Sequence, residues 1–230
     1  MTKGIQAIIF DLDGVIVDSN PAIESFWKSW ADKENITLTN ELIREWIYGR
    51  KVDDTLDGLF NHLNNSDKLA IKEAANTFDS NMQPMAIKGV VSFIRALSMV
   101  KLPTGVVTSS QHPRMLKMLE WLGVEKEFTH FITAFDVTKG KPHPEPYEKM
   151  SAKMNVPTNL CLVFEDAISG IQSATSAGMH SIGIGNEYVK NDLLFHGASE
   201  VIEDFTQISI DCENITLQNR SVFKIKYPTN

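Results

Sequence analysis

Residues 7–15 of the chain read Ala-Ile-Ile-Phe-Asp-Leu-Asp-Gly-Val: four apolar residues, two carboxylates separated by a leucine, and then a glycine. A continuous apolar run of this length is typical of a strand buried on both faces of a parallel sheet. Such a sheet presents its ligand site beyond the carboxyl ends of its strands. The stretch therefore predicts a strand that delivers Asp11 and Asp13 into a site at the edge of a sheet.

Further apolar runs repeat this pattern, with helical patterns between them. The runs are residues 105–107, 131–132, 160–164 and 181–184. Residues 113–122 and 168–177 carry apolar side chains at helical spacing, and a glycine follows each segment. Alternating strands and helices predict an α/β fold, a doubly wound parallel sheet with a Rossmann-like core.

One long segment interrupts this alternation. It contains helical patterns without a convincing strand pattern, at residues 22–31, 41–48, 55–63 and 66–81. Because consecutive helices usually bundle together, we expect a small α-helical cap domain. The alternative is that these helices are extra layers packed on the sheet.

The predicted domain boundaries follow from this interruption. We assign residues 1–17 and 86–212 to the α/β core, 18–85 to the helical cap and 213–230 to a C-terminal extension. The extension is expected to end in a strand, joined through a hairpin at residues 218–220.

Composition and charge restrict the function classes. The 230 residues are 43% hydrophobic and 22% charged, which is ordinary for a globular protein. The net charge of -7 argues against a nucleic-acid or anionic-membrane surface. The first apolar run ends at Asp11, too early for a signal peptide, and no run reaches the ~18 residues of a membrane helix. With two isolated cysteines, Cys161 and Cys212, we expect reduced thiols in a soluble, cytoplasmic protein.

The pair Asp11 and Asp13 suits phosphoryl transfer. One carboxylate can attack phosphorus while the other gives a proton to the leaving oxygen and later takes one from water. Gly14 lets the chain turn sharply and lets its backbone approach a ligand. The alternative is an Asp pair that merely stabilises a turn.

Other polar side chains follow predicted strands or lie in a stiff loop. They are Thr108, Ser109 and Ser110 after residues 105–107, Lys141 in a loop with three prolines, and Glu165 and Asp166 after residues 162–164. Each has an ordinary explanation alone: a helix cap, a solvated lysine, or acids that favour a helix N-terminus. Their joint occurrence indicates one site, because an independent coincidence is improbable.

Charge arithmetic predicts a metal in that site. At an effective dielectric of ~20, two unit charges ~4 Å apart interact by ~4 kcal/mol, so a phosphate dianion facing one bare carboxylate loses ~8 kcal/mol. A divalent cation together with Lys141 would reverse the sign. Carboxylates with water suit Mg²⁺, whereas no His/Cys cluster in the sequence suggests zinc.

With these motifs in place, the chain resembles the haloacid dehalogenase-like (HAD) hydrolase superfamily from Ala7 to about Phe205. Residues 11–15 resemble its first motif, 107–109 its second, Lys141 with Pro142 its third, and 165–166 its fourth. Asp18 and Ser19 suggest the branch that includes β-phosphoglucomutase and sugar-phosphate phosphatases. The resemblance implies a phosphomonoesterase that acts on a small-molecule phosphate ester.

The resemblance also implies residue roles. Asp11 would form an aspartyl-phosphate, and Asp13 would act as general acid and then base. The implied Mg²⁺ ligands are the carboxylates of Asp11 and Asp166, the backbone carbonyl of Asp13, and Glu165 through water or as a supporting carboxylate. The implied phosphoryl and substrate contacts are Thr108 and Lys141, with Gly14, Ser109, Ser110 and Arg50.

The cap segment departs from the mutases of this branch. Ile23 stands near the position of their cap histidine, and Val52 near that of their arginine for a distal phosphate, although Arg50 is close by. Both departures favour simple hydrolysis over a mutase. A phosphosugar mutase and a non-catalytic module that binds a phosphate ligand are the alternatives. The sequence predicts neither the substrate nor the oligomeric state.

Overall fold

The chain folds into an α/β structure, as predicted. The computed structural model describes residues 3–83, 85–217 and 221–227. The strands are β1 (Lys3–Ile5), β2 (Ala7–Phe10), β3 (Thr104–Val107), β4 (His130–Ile132), β5 (Cys161–Glu165), β6 (His180–Ile184), β7 (Glu200–Ile202), β8 (Ile208–Ile210), β9 (Asn214–Leu217) and β10 (Ser221–Ile225). The helices are α1 (Asn20–Lys33), α2 (Asn40–Trp46), α3 (Val52–Leu59), α4 (Asn65–Asn81), α5 (Val90–Met99), α6 (His112–Trp121), α7 (Glu145–Met154), α8 (Ile168–Ser176) and α9 (Glu187–Phe195).

The main sheet has six parallel strands in the order β4-β3-β2-β5-β6-β7. Starting from β2, the chain builds outward through β3 and β4 and then returns to build β5, β6 and β7 on the other side. The strand order thus reverses between β2 and β5. In sheets of this type, ligands bind in the crevice at such a reversal. The residues that follow β2 and β5 stand at this point.

Both faces of the sheet are covered, which makes it doubly wound. Ile8 and Phe10 of β2 share a buried cluster with residues of α5 and α6. Ala7 and Ile9 point to the opposite face and pack with residues of α7 and α8. Because both faces of β2 are buried, its sequence is continuously apolar rather than alternating.

The helices α1–α4 form a helical insert, defined here as residues 20–81, between β2 and α5. The chain leaves and re-enters the core side by side, since Val17 and Ala86 form an antiparallel bridge. The insert has a hydrophobic cluster of its own, with buried Trp27, Ile43, Leu56, Phe60 and Ile71. These observations support a separate cap; its boundaries at residues 18 and 85 stay a prediction.

A second sheet contains the predicted C-terminal strand. Its order is β1-β10-β9-β8, with β1 parallel to β10 and β9 antiparallel to β10. The antiparallel pair fits the predicted hairpin, but its connecting residues 218–220 lie outside the described residues. Ile215, Leu217, Phe223 and Ile225 are buried in the same cluster as the main sheet. Strands β9 and β10 are therefore part of the core packing.

The sequence analysis did not predict β1, β7 or β8. Each has three residues and therefore only a short apolar pattern, although β4, which has the same length, was predicted from residues 131–132.

Both cysteines are free thiols, with Cys161 buried and Cys212 exposed. None of the helices in the described ranges combines the length and the apolar character needed to cross a membrane.

Candidate active site

Lys141 joins the ends of three neighbouring strands. Its Nζ lies 2.6 Å from Oδ1 of Asp11, 2.5 Å from Oε1 of Glu165 and 3.1 Å from the carbonyl oxygen of Val107. The side chain is buried, as Lys141 is only 2% exposed. Asp11, Lys141 and Glu165, which were predicted as site residues from distant parts of the sequence, thus meet at the reversal of strand order.

Glu165 is fully engaged by its surroundings. Its Oε1 accepts hydrogen bonds from Lys141 and, at 2.7 Å, from the hydroxyl of Tyr147. Its Oε2 accepts from the backbone N–H groups of Asp166 and Ala167. Glu165 therefore contacts Lys141 directly, and its two expected roles, as a metal ligand through water or as a supporting carboxylate, stay predictions.

The site carries more negative than positive charge. Burial raises the pKa of Asp11 to about 7; the Lys141 ammonium opposes this shift, and the charge of Glu165 adds to it. Burial and the charges of Glu165 and Asp11 hold the pKa of Asp166 well above its usual range. Burial alone would lower the pKa of Lys141, but the carboxylates of Asp11 and Glu165 raise it. The site thus contains one ammonium group, that of Lys141, and the carboxyl groups of Asp11, Glu165 and Asp166.

This donor set fits a divalent cation. Asp11, Glu165 and Asp166 offer oxygen atoms that lie within 4.8 Å of one another. Oxygen-only ligands suit Mg²⁺, and its two positive charges would offset the excess of carboxylates. Asn20 of α1 donates a hydrogen bond of 2.6 Å to Oδ2 of Asp166, which orients that carboxylate from the insert.

Asp13 lies beside this group, but its carboxylate turns toward an arginine. Both of its oxygens accept bonds of 2.7 Å from the guanidinium of Arg114. The hydroxyls of Ser19 and Ser110 also donate to it, at 2.5 and 3.0 Å. Burial alone would raise the pKa of Asp13, yet the charge and hydrogen bonds of Arg114 hold it below its usual range.

The sequence analysis did not identify Arg114. Ser110 lies before the N-cap Gln111 of α6, so Ser110 and Arg114 do not share a regular helix face that the sequence could have shown.

The predicted hydroxyl residues are close together, but their hydroxyls already have partners. Oγ1 of Thr108 accepts from the N–H of Ser110, and Oγ of Ser109 donates to the carbonyl of Gly49 at 2.7 Å.

Gly14 has φ +74°, and a Cβ there would lie 2.1 Å from Oδ2 of Asp166. Gly14 therefore gives Asp166 the space it occupies.

Arg50 connects the insert to the proline-rich loop. Its guanidinium donates to the carbonyls of Glu45 and Lys141, at 2.9 and 3.2 Å. Lys51 makes a similar connection through the carbonyls of Ala134 and Val137. Nε and Nη1 of Arg50 thus bind backbone carbonyls. The predicted contact of Arg50 with substrate stays a prediction.

A cavity of about 100 Å³ lies between the insert and the core. On the core side it is lined by Asp11, Asp13, Thr108, Ser109, Ser110 and Arg114. Its insert side combines polar residues such as Arg50 and Asp79 with the apolar side chains of Ile23, Phe26, Trp27, Val52 and Phe78. The two positions at which the sequence departs from the mutases, Ile23 and Val52, thus both lie on the cavity wall.

Known proteins are similar to this chain in sequence and in fold. The glycerol-1-phosphate phosphohydrolase 2 of Saccharomyces cerevisiae is 29% identical over 214 residues, covering 90% of this chain and 85% of that protein. The β-phosphoglucomutase of Bacillus subtilis is 26% identical over 192 residues, covering 79% and 84%. The crystal structure of a HAD hydrolase from Entamoeba histolytica matches with a TM-score of 0.75 at 28% identity, covering 90% of this chain and 96% of that one.

The predicted resemblance is therefore confirmed, including the branch that holds both sugar-phosphate phosphatases and β-phosphoglucomutase. Residues 8–184, most of the chain, match the sequence profile of the haloacid dehalogenase-like hydrolases. The chain belongs to the haloacid dehalogenase-like hydrolase family.

Proposed function

We propose that the chain is a Mg²⁺-dependent phosphatase that hydrolyses a small phosphate monoester with an uncharged, sugar-like or polyol leaving group. The observation that carries this proposal is the position of Asp11. This carboxylate stands at the reversal of strand order, 2.6 Å from a buried ammonium, and it shares one cavity with Asp13.

The reaction has two displacements. A carboxylate oxygen of Asp11 attacks phosphorus, the bond from phosphorus to the ester oxygen breaks, and that oxygen takes a proton from Asp13, which must enter this step in its protonated form. Water then attacks the aspartyl-phosphate and gives a proton to Asp13. The bond between phosphorus and Asp11 breaks, which releases phosphate and restores both residues.

The neighbouring residues support this chemistry. Lys141 lies against Asp11, where its ammonium offsets charge that accumulates around the phosphoryl group. Thr108 lines the same cavity and would hold phosphoryl oxygens. Asp11 and Asp166 would hold Mg²⁺, which supplies electrostatic stabilisation of the phosphoryl oxygens when bound.

The cation content of the cavity supports a monophosphate substrate. Among the described residues that line the cavity, the cationic ones are Arg50 and Arg114. Arg50 donates to backbone carbonyls, and Arg114 is bound to carboxylates. Arg50 is thus the one cation among these described lining residues that no carboxylate binds, so a second phosphate would meet few groups to hold it, which favours hydrolysis over a bisphosphate-dependent mutase.

The cavity size bears on the leaving group. A water molecule occupies ~30 Å³ in the liquid, so a cavity of about 100 Å³ holds only a few. Because the phosphoryl group must share this space, a substrate larger than a small phosphate ester would require the insert to move. Closure of the insert over the substrate would also exclude bulk water.

A phosphate-release screen tests the proposal. Wild type is assayed with polyol phosphates, sugar phosphates, nucleotides and phosphoglycolate, with Mg²⁺ and with EDTA. We expect Mg²⁺-dependent release from small polyol or sugar phosphates and none from Asp11→Asn, while Asp32→Asn, an exposed carboxylate of α1, behaves as wild type. Release by Asp11→Asn would refute the nucleophile, and a wild type without release would refute the phosphatase.

Two outcomes would identify the alternatives. Isomerisation of a sugar phosphate that depends on added bisphosphate would indicate a mutase. Mg²⁺-dependent binding of a phosphate ester without any product would indicate a binding module.

A further inference from the structure

We propose that Arg114 is a positioning residue that links the orientation of the Asp13 carboxylate to the position of the helical insert. The proposal rests on the proposed function, in which Asp13 is the acid and base. Arg114 is a buried cation, 8% exposed, for which the reaction steps above provide no role.

The hydrogen bonds of Arg114 exclude a simple role in phosphate binding. Nη1 donates to Asp13 and, at 2.6 Å, to Ser110; Nη2 donates to Asp13 and toward the sulfur of Met82 at 3.7 Å. Nε donates to Oδ1 of Asp79 at 2.8 Å. A guanidinium has five N–H donors, and these five contacts use them all. No donor is left for a phosphoryl oxygen.

These contacts join three elements that are separate in the chain. Arg114 belongs to α6 of the core, Asp79 lies in α4 of the insert, and Asp13 follows β2. A planar guanidinium that binds both oxygens of a carboxylate fixes its plane as well as its distance. The plane of the Asp13 carboxylate is thus set by a side chain that is itself held by the insert.

This arrangement has a consequence for the reaction. Asp13 must direct one oxygen toward the ester oxygen in the first displacement and toward water in the second. When the insert moves away to admit substrate, the bond from Arg114 to Asp79 breaks and the guanidinium is held only from the core side. When the insert returns, the bond re-forms and the orientation of Asp13 is restored.

Two classes of substrate separate positioning from general damage. An alkyl phosphate has a poor leaving group that needs the proton from Asp13, whereas p-nitrophenyl phosphate leaves without one. The value of kcat/KM reports the steps through the first displacement. A defect in the orientation of Asp13 should therefore lower kcat/KM for the alkyl ester far more than for the aryl ester.

The variants are Arg114→Met, Asp79→Asn, the double variant and Lys117→Met. Lys117 is a matched control, because it also reaches from α6 to the insert, at the carbonyl of Ser80, without touching Asp13. For Arg114→Met we expect a loss of about 10²-fold in kcat/KM for the alkyl ester, within the range of general acid–base catalysis, and a much smaller loss for the aryl ester. Asp79→Asn should lower the ratio of alkyl to aryl kcat/KM by a smaller factor. Lys117→Met should leave this ratio as in wild type.

The double variant tests whether Asp79 acts through Arg114. If it does, adding Asp79→Asn to Arg114→Met causes no further loss. Any of three results would overturn the proposal. They are equal losses of kcat/KM for both esters, a wild-type ratio of alkyl to aryl kcat/KM in Arg114→Met or in Asp79→Asn, and a double variant whose loss is the full product of the two single losses. Arg114→Lys keeps the charge without the planar fork, so a partial recovery of the ratio is expected; if Arg114→Met does not fold, Arg114→Lys must still show a lowered ratio.

A second measurement does not need turnover. Amide hydrogen exchange over residues 76–83 should accelerate in both variants, because Arg114→Met removes the bond that fastens the end of α4 and Asp79→Asn weakens it by removing the negative charge. Unchanged exchange in these variants would overturn the proposal even if the wild type released no phosphate. An inactive wild type with accelerated exchange in both variants would instead refute only the proposed phosphatase.

Discussion

The Nζ atom of Lys141 lies 2.6 Å from Oδ1 of Asp11, although 130 residues separate the two in the chain. Both side chains are buried, and Glu165 holds the same ammonium from the other side at 2.5 Å. The pair therefore affects both stability and chemistry, because removing the cation leaves two buried carboxylates without their partner.

We expect Lys141→Met to abolish activity and to lower the free energy of unfolding by about 3–5 kcal/mol in the absence of metal, as for other broken buried ion pairs. Chemical denaturation with EDTA present measures the loss. Lys139→Met is the matched control, since Lys139 is exposed in the same loop. A stable Lys141→Met protein would show that the buried carboxylates do not need this cation.

Mg²⁺ should stabilise the folded protein through Asp11 and Asp166. A ligand that binds only the native state at a hundredfold excess over its Kd adds about 2.7 kcal/mol to the free energy of unfolding. We expect Mg²⁺ to raise the Tm of wild type and to raise that of Asp166→Asn much less. An equal rise in both proteins would place the metal elsewhere.

The metal-free protein should lose stability as pH rises from ~4 to about 7. The lower limit is the pKa of an unfolded Asp, ~4, and the upper limit is the value of about 7 to which burial raises the pKa of Asp11. In this window the folded state binds protons that the unfolded chain has released, so deprotonation favours unfolding. Denaturation with EDTA at several pH values measures the slope, and saturating Mg²⁺ should reduce it. A stability that rises with pH across the window would contradict the raised pKa.

We expect Gly170→Ala to destabilise the folded protein by disturbing the packing around Glu165. A Cβ at Gly170 would lie 1.9 Å from Oε1 of Glu165, and Glu165 cannot shift without losing its bonds to Lys141 and Tyr147. Overpacking of this kind costs about 1–3 kcal/mol. Ser176→Ala, at an exposed position of the same helix, should be nearly neutral in the same thermal unfolding experiment.

Phe223→Ala tests whether the C-terminal strand belongs to the core. Phe223 is 3% exposed and packs in the main cluster, and truncating a buried Phe costs about 3–5 kcal/mol. Lys224→Ala changes the neighbouring exposed residue of the same strand and should have little effect. Two neutral variants would mean that the strand is dispensable for folding.

Much of the core was predictable because its signals are local. A strand buried on both faces is continuously apolar whichever strands it pairs with. The strands β2, β3, β5 and β6 could therefore be located from their runs of apolar residues alone. The helices of the insert were located within a few residues for the same reason. The strands β1, β7 and β8 escaped prediction, because three residues carry only a weak periodic signal, although β4 of equal length was predicted. The pairing of β1 with β10 depends on a contact between the two ends of the described chain.

By itself, the sequence determined that Asp11, Asp13, Glu165 and Asp166 lie at the ends of buried strands, because the strand pattern and the acids are adjacent in the chain. Only the tertiary structure decided what these acids contact. The bond from Asn20 to Asp166 spans 146 residues, and the bonds from Arg114 to Asp13 span 101. Such pairs are set by the order of strands and the placement of the insert. No local period encodes them, which is why Arg114 was found only in the fold.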